Sequence, residues 1–329
     1  MEKALILEKI GEIIDPTEDK TLKELNSIKN INITKNNIVE VTIELDDLLN
    51  KDVIKLAIAK IIKIDLAYPG LKINFTGKEK IVEPSKIKYL AIASGKGGVG
   101  KSTVTANLAI ALRNLGVKVG IIDADIYGAS IPFVLNMEIK PLDLNDEGLI
   151  IPAKYQDIEI ISTEFFMPKD KPLMWRGPLV TQMINMYFSG VIWQNNPDII
   201  LIDLPPGTGD IAMDVRERTP KSDMIIVTNP NVAAANIAVK AGLGSKEIGH
   251  NIFGVIENMS YYLNLCSKER DYIFGTGGGS LVAEKLKVDL LAQIPIGIPN
   301  DNDTIYDQNT IQAKIYLMIA KKYLEKYGD

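Results

Sequence analysis

The stretch Gly95-Lys96-Gly97-Gly98-Val99-Gly100-Lys101-Ser102-Thr103 constrains this chain more than any other, because of what flanks it. Tyr89–Ala93 is an apolar run short enough for a buried strand, and the pattern from Ser102 onward reads as helix. Strand, glycine-rich turn and helix in that order fit G-x-x-x-x-G-K-[ST], a phosphate-binding loop. Gly95, Gly97, Gly98 and Gly100 carry no Cβ, so successive backbone N–H groups can curl around a phosphate. The helix N-terminus behind them favours negative charge. Lys101 is placed to reach the β- and γ-phosphates of ATP, and the Ser102 hydroxyl to ligate Mg²⁺. A second lysine, Lys96, sits inside the loop.

From Lys88 the pattern alternates strands with helices, which implies a doubly wound, mostly parallel α/β sheet. Strands are expected at 88–94, 117–123, 157–162, 198–203, 223–228, 252–257 and 290–294. Helices are expected near 101–115, 178–195, 210–217, 232–247 and 278–287. A last helix, about 309–327, should turn Ile311, Ile315, Met318, Ile319 and Tyr323 to one side. Docking of that face on the core is preferred over a membrane surface, since Glu325 and Asp329 dilute its charge. Ahead of this domain, residues 1–78 read as a small α/β unit. It has a helix at 3–14 stopped by Asp15-Pro16, strands at 28–34 and 38–45 around Asn36-Asn37, a helix at 52–65 and a strand at 71–75. Val39, Val41 and Ile43 should point inward. Residues 79–87 read as a linker, leaving 88–329 as the nucleotide-binding domain.

Ligands of open α/β sheets bind at the carboxyl ends of the strands, and three further segments fall there. Asp123-Ala124-Asp125 brings two carboxylates together, one able to orient an attacking water; a helix cap or solvated turn would use the same residues. Ile199–Asp203 is an apolar strand ending in the carboxylate that a magnesium site needs, often through water. Gly207 and Gly209 then give the following loop freedom to move toward a phosphate. Asn258 could read a base edge with its amide, or be an ordinary turn asparagine. His250 is expected at the surface after Gly249, and Trp175 and Trp193 as packing anchors. Gly275–Gly279 lacks a following Lys-Ser or Lys-Thr and reads as a flexible turn.

Composition excludes several classes. The 329 residues are 46% hydrophobic and 24% charged, the balance of a soluble globular chain. A net charge of −5 argues against a surface that coats nucleic acid. No apolar run approaches the ~18 residues that span a bilayer. The single cysteine, Cys266, excludes an internal disulfide framework. A cytosolic location follows as the expectation, with neither membrane nor nucleic acid as partner.

Five segments occur in order: Gly95–Thr103, Asp123–Pro132, Trp175-Arg176-Gly177-Pro178, Asp203–Asp210 and Glu257-Asn258-Met259-Ser260. Together they resemble the Mrp/ApbC family of P-loop ATPases, iron–sulfur cluster carriers within the group of ParA, MinD and nitrogenase iron protein. The first unit is similar, more loosely, to the small domain of bacterial members through Asp15-Pro16 and Thr21–Leu25. The resemblance implies a homodimer in which Lys96 reaches the partner's nucleotide, Asp125 positions water and Asp203 stands behind Mg²⁺. Lys96, Lys101 and Asp125 would form the catalytic set. It also implies iron–sulfur apo-proteins or assembly proteins as partners. The family's carriers place Cys-x-x-Cys after the Asn-Met-Ser segment and share a [4Fe–4S] cluster between protomers. Here Asn264 and Ser267 fill those positions, with Cys266 between them. Two thiolates per dimer fall short of the four that [4Fe–4S] uses, so Cys266 is either a ligand of a labile cluster or an inert buried thiol. An ATP-gated interaction protein without a cluster and a ParA/MinD-like positioning ATPase are the alternatives.

Overall fold

The computed structural model describes residues 2–15, 20–34, 36–45, 51–66, 68–77, 87–166, 177–207, 209–264, 266–297, 299 and 304–326. Pro16, residues 79–86 of the expected linker, Thr208, Trp175 and Arg176 lie outside them. Contacts divide the chain into Met1–Ser85 and Lys86–Asp329.

In the first unit, helix α1 (Glu2–Gly11) is followed by the short antiparallel pair β1 (Ile14–Asp15) and β2 (Lys20–Thr21). Strands β3 (Ile28–Ile33) and β4 (Ile38–Leu45) pair antiparallel across a turn in which Asn37 takes φ +56°. Helix α2 (Lys51–Lys60) runs on as a π-helical turn, Ile61–Asp65, and β5 (Gly70–Gly77) returns parallel to β4. Alternation along β4 buries Val39, Val41, Ile43 and Leu45, which pack with Ile6, Ile10, Ile54 and Ile58. The first helix stops at Gly11, short of the expected residue 14. Its last carbonyl and that of Ile13 accept from the amides of Lys23 and Leu22, which pulls the chain into β1.

The second unit runs β6 (Lys88–Ser94), α3 (Lys101–Asn114), β7 (Val119–Asp123), α4 (Ile131–Val134), β8 (Ala153–Tyr155), β9 (Ile158–Ile161) and α5 (Gly177–Ser189). It continues with β10 (Ile199–Asp203), α6 (Asp210–Arg218), β11 (Asp223–Thr228), α7 (Val232–Glu247) and β12 (Asn251–Glu257). The hairpin β13 (Tyr262–Leu263) and β14 (Arg270–Asp271), helix α8 (Gly278–Leu286), β15 (Leu290–Gln293) and α9 (Ile311–Glu325) complete it. Eight strands form one sheet in the order β15-β12-β11-β6-β10-β7-β9-β8, parallel except for β8.

Strands that are apolar at every position need cover on both faces, and this sheet has it. Leu90 and Ile92 of β6 join a core with Val104, Leu108 and Leu112 of α3 and Tyr316 and Ile319 of α9. Ala91 and Ala93 face the other way, toward Ile184 of α5, Val215 of α6, Ala238 of α7 and Val282 of α8. The sheet is doubly wound, as the alternation implied. Helix α5 ends at Ser189 rather than 195, since Gly190 donates back to Met186 and Ile192 turns to pair with Ile150. Helix α9 docks on the core but rotated from the expected stripe. Gln312, Tyr316, Ile319, Ala320 and Tyr323 are buried, whereas Ile311 and Met318 are 43% and 50% exposed. Trp193 packs where expected, 2.8 Å from the position a Cβ on Gly120 would take.

The junction of β6 with α3 sets the geometry of the loop. A Cβ on Gly95 would lie 2.4 Å from the backbone N of Ala238 in α7, so only glycine lets strand and helix approach this closely. Gly100 takes φ +83° as the residue capping α3, and its Cβ would meet the Asn258 amide at 2.3 Å. Gly97 has no such constraint, since none of the described residues lies within 4 Å of its Cβ position. Gly95→Ala should therefore destabilise the protein by about 1–3 kcal/mol through overpacking, while Gly97→Ala leaves stability unchanged. Denaturant midpoints measured without added nucleotide check this; equal midpoints for the two variants would contradict it.

Candidate nucleotide site

Because β6, β10 and β7 are parallel neighbours, their carboxyl ends open on one edge of the sheet. In register, Asp203 ends β10 beside Asp123 of β7 and opposite Ile92 of β6. Residues paired in this way share a sheet face, so two buried carboxylates stand side by side. The loop after β6 closes over them.

Lys101 compensates that charge. Its Nζ lies 2.7 Å from Asp203 Oδ2 and 3.5 Å from Asp125 Oδ2, with Lys101 7% and Asp203 0% exposed. Ser102 Oγ donates to the same Asp203 oxygen at 2.6 Å, and Thr105 Oγ1 donates to the other at 2.7 Å. A buried carboxylate is tolerable only with such partners, and Asp203 has three. Asp125 is pushed above the usual carboxylate range by burial, against the pull of the Lys101 charge.

Of the two uses open to the Asp-x-Asp pair, Asp123 takes the helix-capping one. It is fully buried and faces inward, with Oδ2 accepting from Ser130 N at 3.0 Å, Ile131 N at 3.1 Å and Ser162 Oγ at 2.9 Å. Burial first, and the Asp203 charge second, push it up to about 8. Its other oxygen, Oδ1, has no hydrogen-bond partner among the described residues. Of the Asp-x-Asp pair, only Asp125 lines the open pocket, together with the loop, Ser130 and Pro206.

Lys96, Gly97, Gly98 and Gly100 to Thr103 line the pocket, Val99 is buried, and Gly95 lies outside the lining, against α7. Lys96 is exposed, and no ion pair engages it among the described residues. Asn258 is buried behind the loop, its Nδ2 donating one hydrogen to the Val99 carbonyl at 3.0 Å; Oδ1 and the second N–H are not used in that bond. Gly207 takes φ +91° and donates to the Ser94 carbonyl at 2.7 Å, so the loop after Asp203 is fastened to the end of β6.

Cys266 lies apart from this pocket in sequence and structure, at the tip of the β13–β14 hairpin, and it is exposed rather than buried. Asn264 Oδ1 accepts from the backbone N–H groups of Cys266 and Ser267, so Asn264 shapes the turn that presents the thiol. His250 is buried, 4% exposed, against the expectation of a surface site. Gly249 at φ +91° turns the chain back so that the imidazole Nε2 meets the Ala212 carbonyl. Gly275–Gly279 is not a loose turn throughout: Gly278 and Gly279 begin α8 buried, and Gly279 N donates to Glu257. Thr105 and Ser162 belong to none of the five segments, and Ser130 lies within Asp123–Pro132 with no role assigned to it by sequence. Thr105 follows Lys101 by four residues, one helical turn, which is the only local signal for it.

The donor set suits a hard cation and a phosphate. Ser102 and Asp203 offer oxygen ligands of the kind Mg²⁺ selects, and the loop backbone is unobstructed by side chains at Gly97 and Gly98.

Comparison with known proteins agrees with this geometry. A family model described as ParA, NUBPL iron-transfer P-loop NTPase, matches residues 86–324. The chain is 39% identical to a protein of Bacillus subtilis named iron-sulfur cluster carrier protein, over 95% of each chain. It is 43% identical to a protein of the same name from Methanocaldococcus jannaschii, over 65% of this chain and 74% of that one. Among solved structures, a nucleotide-binding protein of Archaeoglobus fulgidus in complex with ADP is 33% identical with a TM-score of 0.54, covering 72% of this chain and 89% of that one. The cell division ATPase MinD of Pyrococcus furiosus, 24% identical with a TM-score of 0.51 over 73% and 99% of the two chains, shares the fold. The chain belongs to the ParA family of NUBPL-type iron-transfer P-loop NTPases.

Proposed function

We propose that this protein is an ATP-hydrolysing iron–sulfur cluster carrier, active as a homodimer in the cytoplasm, with a cluster as cargo. The observation that carries the reading is the buried Lys101–Asp203 pair beneath an open glycine loop, in a chain whose full-length relatives are named cluster carriers. Lys101 exchanges Asp203 for the β- and γ-phosphates when ATP enters. Its departure leaves Asp203 and Ser102 together, an oxygen pair suited to Mg²⁺, directly or through water. Bound Mg²⁺ supplies neutralisation of phosphate charge. Asp125, beside Lys101 and open to the pocket, orients the attacking water, and its raised proton affinity suits a group that accepts a proton.

Lys96 is exposed and unpaired among the described residues, so its charge is available to a second copy of the chain. Supplied in trans, it stabilises charge on the transferred phosphoryl group as an arginine finger does, and dimerisation gates hydrolysis. Asn258 holds the loop through Val99 and offers Oδ1 to the base. Residues 1–78 act as the attached assembly domain. Each protomer contributes one exposed thiol, Cys266, to the cargo; the remaining coordination is met from outside the chain. A cargo held by half its usual thiolates is suited to hand-over to an apo-protein client.

Two experiments test this reading. Lys101→Ala should abolish ATP binding, whereas Lys96→Ala should keep binding and lose hydrolysis by about 10³-fold or more. Near-normal turnover in Lys96→Ala would contradict the trans assignment. Anaerobic reconstitution with iron, sulfide and a small thiol should load the wild-type protein and leave Cys266→Ser unloaded. Iron and acid-labile sulfide analysis reads the result, and equal loading of both proteins, or of neither, would contradict cluster carriage on Cys266.

A further inference from the structure

Ser130 occupies a position where serine ordinarily serves its own helix. It is the residue preceding α4, and serine there commonly accepts from an N–H of the first turn. Its hydroxyl makes no such bond. The backbone donors at this helix start, Ser130 N and Ile131 N, go to the buried Asp123 carboxyl instead. Asp123 thus takes over the capping role and frees the Ser130 hydroxyl for another one.

That hydroxyl points at the nucleotide site. Ser130 Oγ donates to Ser102 Oγ at 2.8 Å, and Ser130 lines the pocket together with the loop and Asp125. A hydroxyl has one proton and two lone pairs; with the proton given to Ser102, both Ser130 lone pairs remain. The spacing, that of an ordinary O–H···O hydrogen bond, is also compatible with a shared cation. Two adjacent ligands of an octahedral Mg²⁺ site, each about 2.0–2.1 Å from the metal, stand about 2.9 Å apart. The Ser102–Ser130 separation matches that edge, and the backbone of Ser130 is pinned from behind by Asp123.

Resting on the magnesium–nucleotide reading above, we propose that Ser130 is a second protein hydroxyl of the Mg²⁺ site, paired with Ser102. The buried Asp123 holds it in place. The chain then commits three strand ends to one cation: the loop after β6 through Ser102, β10 through Asp203, and the segment after β7 through Ser130. Because Ser130 N and Ile131 N share the Asp123 oxygen, metal capture at Ser130 also fixes the start of α4.

The test uses the full-length protein with ADP and Mn²⁺, a paramagnetic substitute for Mg²⁺, in wild type, Ser130→Ala and Ser130→Thr. Electron paramagnetic resonance reads Mn²⁺ affinity of the ADP complex, and calorimetry reads ADP affinity in the presence of a chelator. Ser130→Ala should weaken Mn²⁺ binding by about tenfold or more while metal-free ADP affinity and the melting midpoint stay at wild-type values. Ser130→Thr, which keeps the hydroxyl, should restore Mn²⁺ affinity. Wild-type Mn²⁺ affinity in Ser130→Ala would overturn the proposal, as would an equal loss of ADP affinity with and without metal. A wild-type protein whose ADP affinity ignores Mn²⁺ would overturn the magnesium–nucleotide reading itself.

Discussion

A lysine and an aspartate buried against each other at 2.7 Å hold the centre of this protein. Neither could be there alone. Asp203 terminates a strand with no exposed residue, and an unpaired carboxylate in that setting would carry an uncompensated desolvation cost. Lys101 opens α3, and its burial is tolerable because Asp203 and Asp125 both face it. In the proposed mechanism the pair is also the part of the site that a nucleotide rearranges, since the cation that neutralises Asp203 is the one offered to the phosphates. Stability and function therefore draw on one charge, which is how nucleotide state becomes a conformational signal in the proposed mechanism.

The scaffold follows from this requirement. Parallel strands bring Asp203 and Asp123 into register, which would set two negative charges side by side. The fold resolves the conflict unequally. Asp203 receives Lys101 and two hydroxyls, while Asp123 is pushed up to about 8 and turned to fasten the segment after β7. Gly95 lets α7 close behind the loop, and Asn258, arriving from β12, ties the loop through Val99. Four separate strand ends thus converge on nine residues of loop.

Much of this is legible in the sequence because it is local. A glycine loop between apolar strand and helix is specified by adjacent residues, and β6, β10 and β11 are continuous apolar runs that only a covered parallel sheet can use. What escaped depends on long-range partners. The stripe of α9 is rotated because Gln312 finds the Pro295 carbonyl and Tyr316 stacks near Tyr306, neither visible in helical periodicity. His250 is buried by a glycine turn that hydropathy does not register. Asp123 and Asp125 look alike in sequence, yet one faces the pocket and the other faces Ser162; only tertiary register separates them. Cys266, open to either reading, is exposed because Asn264 uses its side chain to build a hairpin tip.

In the proposed mechanism Lys101 must change partner when nucleotide binds. A crystal structure with Mg²⁺ and ADP bound would show it directly. The predicted result is Lys101 Nζ hydrogen-bonded to a β-phosphate oxygen and withdrawn from Asp203, with Ser102 turned to the metal. A structure in which nucleotide is bound while Lys101 and Ser102 remain on Asp203 would contradict the exchange of partners.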